Sequence, residues 1–181
     1  YRNTTVPVDD LGFTEQTGSG NPLDGVDAGS WSSLTLGDLD GDGDLDLIAG
    51  NQNGTFNYYK NTGTAIAPVF TAQTGADNPL DGFDAGGWSR PTLGDLDGDG
   101  DLDLIVANDN GLFWYYTNSG TATAPAFTAQ TGTDNPLNGV DLGIYATTTL
   151  GDLDGDGDLD LIAGVNDGTF KYFLNTTVPI D

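Results

Sequence analysis

The sequence contains no cysteine and no histidine, and only four basic residues, Arg2, Lys60, Arg90 and Lys171. Without cysteine there is no disulfide. Without either residue there is no ordinary zinc site and no Ser-His-Asp or Cys-His catalytic pair. So few cations exclude nucleic acid and anionic membrane surfaces as natural partners, because phosphate binding needs clustered Lys and Arg. No apolar run approaches the roughly 18 to 20 residues that cross a bilayer, and no basic leader precedes Tyr1, so the chain reads as a mature segment or a fragment.

What is present is acid. The 181 residues carry 28 Asp and Glu against 4 Lys and Arg, a net charge of −24. All of the acids but Glu15 are Asp, which points away from helical surfaces and toward short carboxylates built into turns. Hydrophobic residues at 36% are enough for a core, while 28 glycines imply many turns, so this is no disordered acidic tail. A secreted chain without disulfides needs another cross-link, and in this composition the first candidate is a bound cation.

Internal repetition organises the rest. The segment from Leu36 to Ile48 returns unchanged from Leu93 to Ile105 and from Leu150 to Ile162. Looser matches keep the same phase: Asn21-Pro22-Leu23 with Asn78-Pro79-Leu80 and Asn135-Pro136-Leu137, and Phe13 with Phe70 and Phe127. The boundaries this gives are a leading strand and loop over 1–30, then repeats over 31–87, 88–144 and 145–181.

Each unit reads as four short strands. The first, at Thr92-Leu93 in the second unit, leads into the aspartates, and the second is the apolar run Leu45 to Ala49. A turn follows at Asn53-Gly54, Asn110-Gly111 or Asp167-Gly168, a strong hairpin signal. The third strand is aromatic and alternating, with Phe56 and Tyr58 on one face and Asn57 and Tyr59 on the other. The fourth is Val69 to Gln73. The expected class is all-β: three tandem four-stranded antiparallel blades of β-propeller type, with a linear β-array as the alternative.

Counting from Asp38 as position one, carboxylates fall at positions one, three, five, seven and nine, with Gly43 at six. Ca²⁺ takes six to eight oxygens at about 2.3 to 2.6 Å, and a tight loop supplies them from alternate residues. Asp38, Asp40 and Asp42 then donate side-chain oxygens, Asp44 its carbonyl, and Asp46 closes the shell. Asp95, Asp97, Asp99, Asp101 and Asp103 repeat the set, as do Asp152, Asp154, Asp156, Asp158 and Asp160, giving three Ca²⁺ sites. Two like charges about 4 Å apart repel by roughly 4 kcal/mol at an effective dielectric near 20, so such a loop calls for a cation. An EF-hand is disfavoured, because its position twelve holds Ala49, Val106 or Ala163 instead of Glu.

Asp-x-Asp-x-Asp-Gly-x-x-Asp, with Leu-Gly before it and Leu-Ile-Ala-Gly after the first and third copies, resembles the FG-GAP/VCBS repeats of integrin α-subunit propellers, some lectins and large bacterial surface proteins. The resemblance covers all three units. It implies that the loop joins the first two strands of a blade and that the aspartates named above are its calcium ligands. It leaves the partner open.

Residues 1–9 resemble 173–181, so the chain starts and stops at one phase of the repeat, after a third strand. A fourth strand then leads the chain and the last unit lacks one. The two readings are a fragment of a longer propeller, or self-association in which the leading strand of one copy completes the last blade of another, head to tail, in a ring or filament.

Candidate ligand contacts are the aromatic residues Trp31, Trp88 and Tyr145, as packing between blades or as sugar platforms, and Trp114, whose position varies as Asn57, Trp114 and Lys171 and so reads as exposed. Asn3, Asn53 and Asn175 lie in Asn-x-Thr sequons. Asp27, Asp84 and Asp141 recur in every unit, which marks architecture and not one active site. The reading is a non-catalytic extracellular calcium-binding module for adhesion or structural assembly. The alternatives are a calcium-dependent lectin, and an accessory domain of a secreted polysaccharide-degrading enzyme.

Overall fold

The computed structural model describes residues 13–121 and 123–177. Asn3, the matching segment 1–9 and the last four residues fall outside that range.

The repeats fold as the alternation predicts. β1 (Ser33–Gly37), β2 (Asp46–Gly50), β3 (Phe56–Asn61) and β4 (Phe70–Gln73) form one antiparallel sheet in chain order. β5 (Arg90–Gly94), β6 (Asp103–Ala107), β7 (Phe113–Asn118) and β8 (Phe127–Gln130) form the second. β9 (Thr147–Gly151), β10 (Asp160–Gly164) and β11 (Phe170–Phe173) form the third. The architecture is blade-like. Among the described residues no helix is long and apolar enough to cross a membrane.

The second strand of the first and of the second sheet is buried at all five positions, which explains its unbroken apolar reading. In the third strands Phe56 and Tyr58 face one core, and Tyr59 faces another with Leu47 and Ala49, so the period of two holds. The hairpin at Asn53-Gly54 forms, but over the connection 51–55 between β2 and β3 and not a two-residue turn. Asn51 shapes it: its carbonyl accepts from the Gly54 N–H at 3.1 Å and its Oδ1 from the Asn53 N–H at 2.9 Å.

The sheets stack through glycine. A Cβ on Gly37 would lie 2.6 Å from Leu102 Cδ1 and 2.8 Å from Leu93 Cδ1, so only hydrogen there lets the second sheet approach the first. Gly94 receives Leu150 and Leu159 of the third sheet in the same way. Ser89 completes the first junction: its buried hydroxyl accepts from the Asn51 N–H at 3.0 Å and reaches the Asn51 and Thr55 carbonyls.

The leading segment departs from expectation. Phe13 to Thr17 pairs with no described strand, and the Phe13 side chain is 94% exposed. A strand needs a neighbour's backbone, and no edge of a described sheet meets this one.

Candidate metal centre

Each aspartate loop connects the first and second strands of a sheet, and the loop wraps around its own first residue. In the second repeat Asp95 Oδ1 accepts from the Gly98 N–H at 2.9 Å and Oδ2 from the Gly100 N–H at 3.0 Å. Asp99 Oδ1 takes the Asp101 N–H at 2.9 Å. Gly43, at position six, has φ 91° and its copies Gly100 and Gly157 have 94° and 103°, a region closed to side chains, so the turn demands glycine.

This folding gathers Asp38, Asp40 and Asp42, then Asp95, Asp97 and Asp99, then Asp152, Asp154 and Asp156. Within each triad one carboxylate oxygen per residue lies within 4.8 Å of the others. Each triad can hold a metal ion. Buried acceptors normally find a donor, yet Asp38 Oδ1 and Asp40 Oδ1 are buried with no hydrogen-bond partner. Oxygen-only donors of this kind suit a hard cation, Ca²⁺ above all.

The carboxylates of positions seven and nine lie outside the triads. Asp46, Asp103 and Asp160 turn into the sheet, where each carboxylate accepts three hydrogen bonds from its own repeat. Asp46 takes the Asn61 N–H at 2.7 Å, the Tyr58 hydroxyl at 3.0 Å and the Leu39 N–H at 3.2 Å. Asp103 has the same partners in Asn118, Tyr115 and Leu96. Asp44, Asp101 and Asp158 lie on the loop between the two groups. The ninth position therefore ties the loop to the third strand through a tyrosine and an asparagine twelve and fifteen residues on. Sequence reasoning missed both partners, although the spacing recurs at Tyr58, Tyr115 and Tyr172 and at Asn61, Asn118 and Asn175.

The electrostatics follow the burial. Desolvation pushes the Asp46 carboxyl up, and Asp103 rises to about 6, while the hydrogen bonds they accept act against that rise. The nearby charge of Asp40 on Asp46, and of Asp97 on Asp103, adds to it. Burial likewise raises Asp97. The first repeat has a cation of its own, because the Lys60 ammonium pairs with Asp40 Oδ2.

The other candidate contacts lie elsewhere. Trp31 stacks on Trp88 with centroids 5.0 Å apart and planes at 17°, and Trp88 stacks on Tyr145 at 5.1 Å and 27°. The rings pack on one another across the sheets, which leaves only the outer faces of Trp31 and Tyr145 open. All three have positive φ, 57°, 54° and 62°, a strained backbone for bulky residues that the stack helps hold. Trp114 is half-buried against the core between the first two sheets, so its variability does not mark an exposed site. At the same position the Asn57 amide donates to the Ala28 carbonyl and the exposed Lys171 donates to the Asp141 carbonyl. Asn57 and Lys171 thus hold the preceding loop by hydrogen bonds, while Trp114 packs on the core. Asp27, Asp84 and Asp141 accept from the Gly29, Gly86 and Gly143 N–H groups, which is turn chemistry.

No curated protein matches the chain. The model of the FG-GAP-like repeat matches twice, over residues 38–106 and 95–163, so each match runs from one aspartate loop through the next and the pair spans well over half of the sequence. With the loop, its strands and its triad all repeated in phase, the chain belongs to the FG-GAP-like repeat family.

Proposed function

We propose that this chain is a non-catalytic calcium-binding repeat module that works outside the cell, in adhesion or structural assembly. The observation that carries the reading is the pair of buried carboxylate oxygens without donors, Asp38 Oδ1 and Asp40 Oδ1, inside a triad that occurs three times. Asp38, Asp40 and Asp42 and their copies would hold the ion, which supplies the positive charge that lets the loop stay closed. The residues do the rest: glycine allows the wrap, and the ninth aspartate anchors the loop to the third strand. A filled loop pins the first hairpin of each sheet, a task that disulfides perform in other secreted folds.

Extracellular calcium modules bind at about 10⁻⁴ to 10⁻³ M, which suits the calcium level outside cells and not that of the cytosol. The lack of His and Cys supports a role without catalysis, as does the use of the recurrent aspartates in turns (Asp27, Asp84, Asp141), in the triads, or as anchors within the sheet (Asp46, Asp103, Asp160). A lectin reading is weakened because the aromatic rings stack on one another and Trp88 has neither face free.

Calorimetric titration tests this. Three sites per chain are expected, with dissociation constants in the stated range. Saturation at a hundred times Kd stabilises by about 2.7 kcal/mol per site, so chelator should lower the melting temperature markedly. No heat of binding and an unchanged melting curve would sink the proposal.

A further inference from the structure

The two outer faces of the molecule are the two halves of a contact that the chain already makes twice within itself. At each internal junction the earlier sheet offers a bare glycine, Gly37 or Gly94, and the later sheet inserts two leucines, Leu93 with Leu102 or Leu150 with Leu159. On the far face of the third sheet, no atom lies within 4 Å of where a Cβ on Gly151 would sit. On the near face of the first sheet, Leu36 and Leu45, which occupy the positions of Leu93 and Leu102, are 54% and 52% exposed.

The aromatic rings repeat the pattern. Phe56, Tyr58, Phe113 and Tyr115 are buried by the following sheet, whereas Phe170 and Tyr172 are 79% and 51% exposed. The Trp31–Trp88–Tyr145 stack ends on an open ring at both ends.

A cavity shows where the leading strand belongs. At the first junction Phe127, from the fourth strand of its sheet, is buried in a core with Leu39, Ile48, Tyr58 and Leu80. At the second junction the residues in the same places, Leu96, Ile105, Tyr115 and Leu137, line a cavity of about 340 Å³ beside β11. Phe13 heads the segment Phe-Thr-Glu-Gln, which matches Phe127-Thr-Ala-Gln of β8, and its ring is almost fully exposed.

We propose that a second copy of this chain docks head to tail on the third sheet. Its Leu36 and Leu45 close over Gly151, and its Phe13 strand pairs with β11 and places the ring in the cavity. The interface is heterologous, so it generates a ring or a filament according to the rotation per step. Two copies bring six sheets, within the four to eight of closed propellers. The inference rests on the repeat-module reading but not on the identity of the ion.

Sedimentation of the whole chain over a range of concentrations, in millimolar calcium to offset the charge of −24, tests it. The expected result is reversible association that Phe13→Ser weakens at least about tenfold, the worth of burying one aromatic ring. Gly151→Val should disperse it too. Neither change touches the chain's own core, so circular dichroism of both variants should match the parent, as should their melting at concentrations where the parent is monomeric. A folded, calcium-bound chain that stays monomeric overturns the proposal, and so does association indifferent to both variants. A chain that binds no calcium but still associates through Phe13 would sink only the metal reading.

Discussion

The second and third repeats carry the same aspartate loop, residue for residue, yet their ninth aspartates behave oppositely. Asp103 and Asp160 accept equivalent bonds, from Asn118, Tyr115 and Leu96 in one case and from Asn175, Tyr172 and Leu153 in the other. Burial drives Asp103 up to about 6, whereas the Asn175 N–H leads the hydrogen bonds that hold Asp160 below the usual carboxylate value. The difference lies beyond the loop. Tyr115 is covered by the third sheet, while Tyr172 stands 51% exposed. One short segment thus has two electrostatic characters, set by what packs over its neighbour.

Substitution should break the comparison most strongly. Asp103→Ala strands three donors, two of them buried, and should cost about 3 to 5 kcal/mol in urea unfolding. Asp160→Ala should lose distinctly less, because water reaches Tyr172 and Asn175 once the carboxylate is gone. Equal losses would mean that the covering sheet contributes nothing.

A carboxyl-carbon NMR titration in chelator sharpens the same contrast, with a midpoint near 6 for Asp103 and one below 3.8 for Asp160. The signs follow from linkage. Asp103 binds its proton more tightly when folded, so its contribution to stability is present below the ordinary value of 3.8 and is lost as pH rises through about 6. Asp160 works in reverse, contributing above the ordinary value and losing that contribution on acidification. Coincident midpoints would refute the environmental account.

The smallest effect concerns the first repeat, where Lys60 already pairs with Asp40 and the second repeat has Thr117. Lys60→Thr should raise calcium affinity at the first loop by roughly fivefold, since the Lys60 side chain is 39% exposed although Asp40 is buried, and a pair with an exposed partner contributes about 1 kcal/mol. Glycine amide shifts of Gly41 and Gly43 would report it, and unchanged affinity would show that Lys60 moves aside at no cost.

The sequence by itself determined the repeat, the strand class, the faces of Phe56, Tyr58 and Tyr59, and the three aspartates that open each loop and form its triad. Those features are local: alternation assigns a side chain to a face, and a tight loop brings alternate residues together. It did not reveal that Asp46 is held by Tyr58 and Asn61, that Trp31, Trp88 and Tyr145 stack, or that Trp114 is half-buried. Each depends on residues 12 to 57 positions apart meeting through sheet register and sheet stacking. Only the tertiary structure decided which copy of an identical motif is covered, because burial is a property of neighbours and the motif does not carry them.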